Sequence, residues 1–172
     1  MDERPIGMLI GGIAGVLLLF FLPVMCITLK NENTTQSYIN TQVVKFVDNA
    51  RATGKISDDA YESLCSAIDQ VQPFCEISIE HQTKYVVADE NNNHQICYMT
   101  NTKDDILSEI YTASGENADY NMRKGDFLDV TVYNTKPTLA TRIYRVIMPL
   151  YNRSGVSIYT TYSGYVGNNP EP

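Results

Sequence analysis

Residues that could do chemistry are few in this sequence, and none is grouped in the way that an active site requires. The two histidines, His81 and His94, belong to no cluster with metal-ligand spacing. The sequence contains no Gly-rich phosphate loop, no G-x-S-x-G nucleophile elbow and no H-E-x-x-H zinc motif. Because no nucleophile is paired with a base, we expect the chain to be no enzyme and to use no metal or cofactor.

Acidic residues occur in two adjacent pairs, and each pair has a simpler explanation than catalysis. The pairs at 58–59 and 104–105 both fall where a helix is predicted to begin. The positive end of a helix dipole favours carboxylates there. The acidic and Asn-rich segment 89–93 lacks the glycine and the distal glutamate of a calcium-binding loop. We therefore interpret the pairs as first-turn residues and the segment as a turn.

The four cysteines show no C-x-x-C spacing, which argues against a structural zinc site. Cys26 lies in an apolar run, whereas Cys65, Cys75 and Cys97 lie in the polar remainder of the chain. Cys65 and Cys75 fall on core-facing positions of adjacent predicted elements, so they are the candidate disulfide if the compartment is oxidising. The alternative is that all three are buried free thiols that act as small hydrophobic side chains.

The net charge of the chain argues against nucleic acid as a partner. It is −7 at neutral pH, and the 13 lysines and arginines are scattered. A surface that follows a phosphate backbone needs these residues to be clustered. An acidic balance is instead typical of an exposed domain that remains soluble.

An apolar run extends from Ile6 to Leu29 and precedes the polar remainder of the chain. A stretch of about 20 apolar residues spans the hydrocarbon core of a bilayer. The run starts after two acids and one base and has no small-residue cleavage site, so we expect it to be retained rather than removed as a signal. Arg4 and Lys30 balance each other across it, so topology is not decided by the positive-inside rule. A short tail on one side and a translocated head is the simplest arrangement.

Small residues recur within this run at Gly7, Gly11 and Gly15. This small-xxx-small spacing lets two helix backbones approach closely in lipid. The alternative is that glycine is simply common in membrane helices, and the sequence does not decide between them. Pro23, late in the run, predicts a kink or local melting because proline removes a backbone hydrogen bond.

Beyond the membrane, the pattern remains helical and becomes amphipathic. One face carries the apolar side chains at 39, 43, 46, 47 and 50. Gly54 predicts the end of the helix as a left-handed cap. A break near Pro23 or Asn31 would divide it, and Asn33 with Gln36 would cap a helix that restarts there.

The rest of the sequence alternates between short helices and strands. Ser57 and Thr102 predict helix N-caps, and Pro73 predicts a helix end. A third helix presents an apolar face made of Leu139, Ile143, Val146 and Ile147. Period-2 alternation predicts a strand at 74–81, and β-rich runs bounded by turn residues predict strands at 84–88, 95–100, 127–133 and 156–162.

These elements predict an α+β fold: a long N-terminal helix, membrane-spanning and then amphipathic, packed on a small, mostly antiparallel sheet with short helices on one side. We assign residues 1–30 to a transmembrane and assembly helix. Residues 31–172 form an extracytoplasmic head that includes the amphipathic half of the helix.

This plan resembles that of type IV pilins and pseudopilins, whose apolar half-helix holds the subunit in the membrane before assembly and forms the filament core afterwards. Glu3 near the start and Pro23 late in the apolar run are similar to features of that family. The stretch 45–56 followed by Tyr61 is similar to small pilin-like membrane proteins of Firmicutes associated with Tad-type pili or conjugation-like secretion machinery. The likeness extends loosely through Gly125-Asp126 and the helix at 138–140. The chain departs from the family in two respects: no leader ending in glycine is visible, and Arg4 and Pro5 separate Glu3 from the apolar run.

We therefore expect a non-enzymatic subunit of a bacterial surface filament or secretion pseudopilus. Its expected partners are copies of itself, the membrane before assembly, and other pilus or secretion subunits. The expected assembly interface comprises Glu3, Gly7, Gly11, Gly15 and Pro23. The resemblance places the chain in the cell membrane with its head outside, or in a cell-surface filament. The alternative is a monomeric, single-pass binding or adhesion ectodomain, and a membrane-tethered enzyme ranks third.

Overall fold

A computed structural model describes residues 4–88, 94–111, 118–147 and 157–170. Within these ranges the chain has an α+β fold, in which a long N-terminal helix packs on a small antiparallel sheet with short helices. The helices are α1 (Arg4–Thr53), α2 (Asp58–Val71), α3 (Lys103–Ile110) and α4 (Leu139–Ile147). The strands are β1 (Lys55–Ile56), β2 (Cys75–Ala88), β3 (His94–Thr102), β4 (Tyr120–Asn121), β5 (Phe127–Asn134) and β6 (Tyr159–Tyr165).

The second half of α1 packs on the sheet through the face that the sequence predicts. All five apolar side chains of that face are buried: Ile39, Val43, Phe46, Val47 and Ala50. They form one core with the inward residues of β2 and β5 and with residues of α2 and α3. A fully buried side chain of this size contributes about 1.5–3 kcal/mol relative to an exposed one. This face therefore fixes α1 to the head.

The expected end of α1 at Gly54 is confirmed. Gly54 has a φ of +73°, and its N–H donates to the Ala50 carbonyl at 2.9 Å. A Cβ placed on Gly54 would lie 2.5 Å from the Asn168 carbonyl oxygen, because the C-terminal segment crosses over this position. Glycine is required here both for the backbone conformation and for the close approach.

The four-stranded sheet has the order β3-β2-β5-β6 with every neighbouring pair antiparallel, and β1 pairs with β4 in a separate two-stranded ribbon. The predicted hairpin is confirmed as β2 and β3. The two predicted strands at 74–81 and 84–88 form one continuous strand. In β5, alternate residues are buried against the core.

Contacts along α1 define two ends of the head. At the proximal end, nearest the apolar half of α1, Gln36 hydrogen-bonds β6 at Tyr159. At the distal end, the Arg51 Nε donates to the Tyr165 carbonyl at 2.8 Å. Tyr159 at the proximal end pairs with Tyr133 of β5, and Tyr133 pairs with Glu76 near the start of β2. β2 therefore begins at the proximal end and runs towards the distal end.

The short helices begin where the sequence predicts. The Ser57 hydroxyl accepts a hydrogen bond from the Ala60 N–H at 3.3 Å, which caps α2. The Asp105 carboxylate accepts from both the backbone N–H and the hydroxyl of Thr102, at 2.8 Å each, at the start of α3. The first-turn acids thus act as helix caps and dipole partners.

The expected break in α1 is wrong. α1 runs from Arg4 to Thr53 without a break, so it neither melts at Pro23 nor restarts near Asn31, and no cap forms at Asn33 and Gln36. Proline removes one intrahelical hydrogen bond, to the Leu19 carbonyl, and helix-favouring segments on both sides continue across that loss.

The apolar face expected for α4 is divided: Ile143 is half-buried, two other members are exposed, and the side chain of Ile147 lies outside the description. Leu139 and Val146 are 65% and 80% exposed, whereas Ala140 and Thr141 are buried. The small side chains allow α4 to approach α1 closely. The Thr138 hydroxyl, at the N-terminus of α4, donates to the Glu32 carboxylate at 2.6 Å and fixes that contact.

Candidate functional site

The apolar half of α1 is the largest uncovered hydrophobic surface on the described part of the chain. Every residue from 7 to 24 is exposed, and this stretch is about 27 Å long at 1.5 Å per residue. α1 is long and apolar enough to cross a membrane, and its apolar window makes no buried contact with the rest of the described chain. An apolar surface of this size marks a membrane or protein interaction site.

The three glycines of the predicted ridge have no role in packing within the chain. A Cβ added at Gly7, Gly11 or Gly15 would meet no described atom within 4 Å, apart from the nearby backbone of α1 itself. The same holds for Gly12, which lies about 100° around the helix from Gly11. The glycines therefore leave α1 accessible to close approach by another helix.

The two other expected assembly residues are Pro23 and Glu3. Pro23 lies within the continuous helix and is exposed near the end of the apolar half. Glu3 lies outside the described residues. Among the predicted site residues, Gly7, Gly11, Gly15 and Pro23 therefore share one uncovered helix.

Polar side chains fasten α1 to the head directly after its apolar half. The Gln36 side-chain amide donates to the Tyr159 carbonyl at 2.6 Å and to the Thr160 hydroxyl at 2.8 Å. Its carbonyl oxygen accepts from the Tyr159 N–H at 3.2 Å. With Glu32 bound to Thr138, these contacts hold the head close to the point where the apolar half ends.

A buried polar network lies at the distal end of the head, and the sequence did not bring its members together. The His81 Nδ1 lies 2.8 Å from the Tyr120 hydroxyl, and the His81 Nε2 lies 3.0 Å from the Asp126 carboxylate. All three side chains are buried. They lie 39 and 45 residues apart along the chain and meet because His81 continues the inward side of β2 beyond Ile77 and Ile79. The alternation of inward-facing residues in β2 was therefore the sequence signal that could have placed His81 in the core.

Further hydrogen bonds connect this network to its surroundings. The Asn101 amide donates to the Tyr120 hydroxyl at 2.6 Å, and the same hydroxyl shares a hydrogen bond with the His81 Nδ1. The His81 Nε2–H then donates to Asp126, which also accepts from the Arg123 N–H at 2.8 Å. Burial raises the pKa of Tyr120, which keeps its hydroxyl protonated for this role.

A cleft of about 380 Å³ opens beside this network, lined by His81, Tyr120 and Asp126 together with Thr83, Asn101 and Arg123. A histidine beside a carboxylate is the pairing that a general base uses. Both ring nitrogens of His81 have buried hydrogen-bond partners, the Tyr120 hydroxyl and the Asp126 carboxylate.

Neither a disulfide nor a metal cluster is formed by the described residues. Cys26, Cys65, Cys75 and Cys97 are free thiols, and Cys65 and Cys75 are partly buried against the core. Burial raises the pKa of Cys75 to about 11 and also raises the pKa of Cys65. Both thiols are therefore protonated at neutral pH. In the described ranges, no group of three or more His, Cys, Asp or Glu side chains is placed to hold a metal ion.

Comparison with known proteins identifies no relative. A scan against protein-family models finds no match, and searches of curated proteins and of solved structures also find none.

Proposed function

We propose that the chain is a structural, non-enzymatic subunit of a bacterial surface filament or secretion pseudopilus, and that copies assemble through the apolar half of α1. The observation that supports this most is the uncovered apolar stretch from residue 7 to 24, continuous with a helix that is packed into the head from Ile39 onward. A subunit of this kind is held in the membrane, with its head outside, until its apolar half packs against copies of itself.

The glycine ridge gives this proposal its contact surface. In lipid, apolar side chains gain nothing by leaving acyl chains for one another, so helix association depends on close packing. Gly7, Gly11 and Gly15 offer that close approach and serve no contact within the chain. In a water-excluded filament core, an unpaired carboxylate at Glu3 would cost several kcal/mol, so it requires a partner such as a neighbour's amino terminus.

A matched pair of substitutions tests the ridge. Gly11→Leu adds bulk on the ridge, and Gly12→Leu adds the same bulk one residue along, where a Cβ is equally unopposed within the chain. We expect Gly11→Leu to reduce assembly at least tenfold, since a loss of about 1.4 kcal/mol per contact suffices. Gly12→Leu should retain assembly, and both variants should insert into membranes equally. Sedimentation and negative-stain imaging measure assembly, and carbonate extraction measures insertion.

Equal assembly of the Gly11→Leu variant and the wild-type chain would contradict the ridge as the contact. Loss of assembly in both variants would show that the contact involves the whole surface of the helix and not the glycine ridge alone.

One observation favours the second candidate function, a monomeric membrane-anchored binding ectodomain. The distal half of the β2–β3 hairpin exposes Tyr85, Val86, Ile96, Tyr98 and Met99, and β3 is an edge strand. Exposed apolar hairpins and open edges are binding surfaces for other chains. A monomeric binder would use this hairpin and would be insensitive to Gly11→Leu.

A further inference from the structure

A second uncovered apolar surface lies at the proximal end of the head, on α4. We call it the α4 surface and define it by six exposed side chains: Phe74, Lys136, Leu139, Arg142, Arg145 and Val146. At 100° per residue, Leu139 and Val146 lie about 20° apart around α4, with Arg142 about 40° beyond Val146. The exposed face of α4 is thus an apolar stripe bordered by arginine.

Phe74 extends this surface from the neighbouring loop. Its φ of +73° is rare for a bulky residue, and its ring is 55% exposed. The Lys136 ammonium lies 3.5 Å from the centroid of that ring. The Thr135 N–H and hydroxyl both donate to the Phe74 carbonyl at 2.8 Å, which joins this loop to the segment leading into α4. A strained backbone therefore presents an aromatic ring outward beside α4.

The depth of the α4 surface follows from its contact with α1. Thr138, the residue before α4, binds Glu32, which lies three residues beyond Leu29 at the end of the apolar run. Three helical residues rise about 4.5 Å. The headgroup layer on each side of a hydrocarbon core is about 5–7 Å thick. If the apolar run spans the core, the start of α4 lies within the headgroup layer.

The sequence segment that contains α4 carries a charge opposite to that of the whole chain. The chain carries −7 overall, yet residues 130–170 contain no acidic side chain and include Lys136, Arg142, Arg145 and Arg153. Glu32 is the nearest acid on α1, and it is half-buried against Thr138. Basic residues near a membrane surface are attracted to anionic lipids, whereas an amphipathic helix buries its apolar side at the headgroup and acyl boundary.

We infer that α4 is an interfacial helix that docks the proximal end of the head onto an anionic lipid surface. Leu139, Val146 and Phe74 enter the boundary between headgroups and acyl chains, and Lys136, Arg142 and Arg145 contact lipid phosphates. This inference rests on the proposed anchoring of α1 in a membrane. Docking fixes the tilt of the head while the chain is held in the bilayer.

Introduced tryptophans test the docking because the chain contains none. Leu139→Trp and Val146→Trp each place one reporter on the α4 surface of the full-length chain. Phe20→Trp places one in the apolar half of α1. Tyr98→Trp is the matched exposed control, since Tyr98 pairs with Lys84 and is therefore about 30 Å along β2 from Cys75, distal to the membrane. Each variant is reconstituted into mixed phosphatidylcholine and phosphatidylglycerol vesicles, with and without brominated acyl chains.

We expect bromolipid quenching of Leu139→Trp and Val146→Trp to fall between that of Phe20→Trp and that of Tyr98→Trp. In the Leu139→Trp background, Arg142→Gln with Arg145→Gln should lower the docking constant about 25-fold, at about fivefold per arginine. Pure phosphatidylcholine vesicles should lower it similarly. Far-UV circular dichroism checks that each variant is folded.

Four results would overturn the inference in distinguishable ways. Quenching of Phe20→Trp alone would leave the anchor intact and remove the docking. Quenching of none of the reporters would remove the anchor and the docking together. The tryptophan emission of Leu139→Trp could instead be blue-shifted without being quenched by bromolipid. If that blue shift decreases when added lipid dilutes the chain, a second copy of the chain covers α4. Equal docking to neutral and anionic vesicles would remove the role of the arginines.

Discussion

A chain that begins at Asn31 should fold as a soluble monomer. Truncation removes the exposed stretch from residue 7 to 24, which makes no buried contact with the head, together with a few half-buried side chains near Thr28. We therefore expect a loss of no more than about 1–2 kcal/mol from a total of about 5–15 kcal/mol for a domain of this size. The core face of α1 from Ile39 to Ala50 remains.

The truncated head also allows the attachment of α1 to be measured. Gln36→Ala removes three hydrogen bonds to β6, each contributing about 0.5–1.5 kcal/mol. A total near 2 kcal/mol should lower the Tm by about 5–10 °C. Asn40→Ala, an exposed position on the same helix, is the matched control and should leave the Tm within about 2 °C, as expected for a change of under 0.5 kcal/mol.

Thermal unfolding followed by circular dichroism measures both stabilities, and sedimentation measures the monomer. An unfolded truncated chain would refute the reasoning that the head is an independent unit. An aggregated but folded chain would show that the head itself carries a self-association surface. Equal melting of the Gln36→Ala and Asn40→Ala variants would refute the role given to Gln36.

Three further expectations concern the head. Under oxidising conditions Cys65 and Cys75 should form a bridge contributing about 2–3 kcal/mol, and non-reducing peptide mapping that finds either one free or paired with Cys97 would contradict it. Gly54→Ala should destabilise the truncated head by at least about 1–2 kcal/mol in chemical denaturation, because a positive φ and the crossing Asn168 carbonyl both oppose a Cβ; an unchanged midpoint would contradict that. His81→Leu should cost about 3–5 kcal/mol by leaving Asp126 buried without its histidine, and the double variant His81→Leu with Asp126→Leu should recover part of that loss; no recovery would place the cost in packing instead.

Periodicity predicted the parts of this fold that depend on one element at a time. The buried face of α1, the helix end at Gly54, the cap at Ser57 and the hairpin follow from local spacing and local hydrogen bonds. These features could be predicted because each depends mainly on residues that are close together along the chain.

Features that depend on how elements meet were not predictable in the same way. The apolar pattern of α4 identifies a face but not its neighbour. Leu139 and Val146 of that face are exposed, and the start of α4 contacts α1 through Thr138 and Glu32, which are more than 100 residues apart. The network of His81, Tyr120 and Asp126 requires the register of two sheets. The expected break at Pro23 overstated the cost of one missing hydrogen bond in a long helix.

The position of the candidate assembly site could be predicted from sequence, but its occupant could not. Glycines at 7, 11 and 15 can be read directly from the chain, and the structure adds that no contact within the described chain uses them. What packs against the uncovered helix is a property of a second molecule, which one chain does not contain.

Imaging of assembled material tests the central claim most directly. Surface material sheared from cells that produce the chain is examined by negative-stain electron microscopy, with immunogold directed at the head. We expect filaments labelled along their length by the antibody, with heads outward and apolar helices inside. Unlabelled filaments, with the chain recovered entirely as a detergent-extracted monomer, would contradict it.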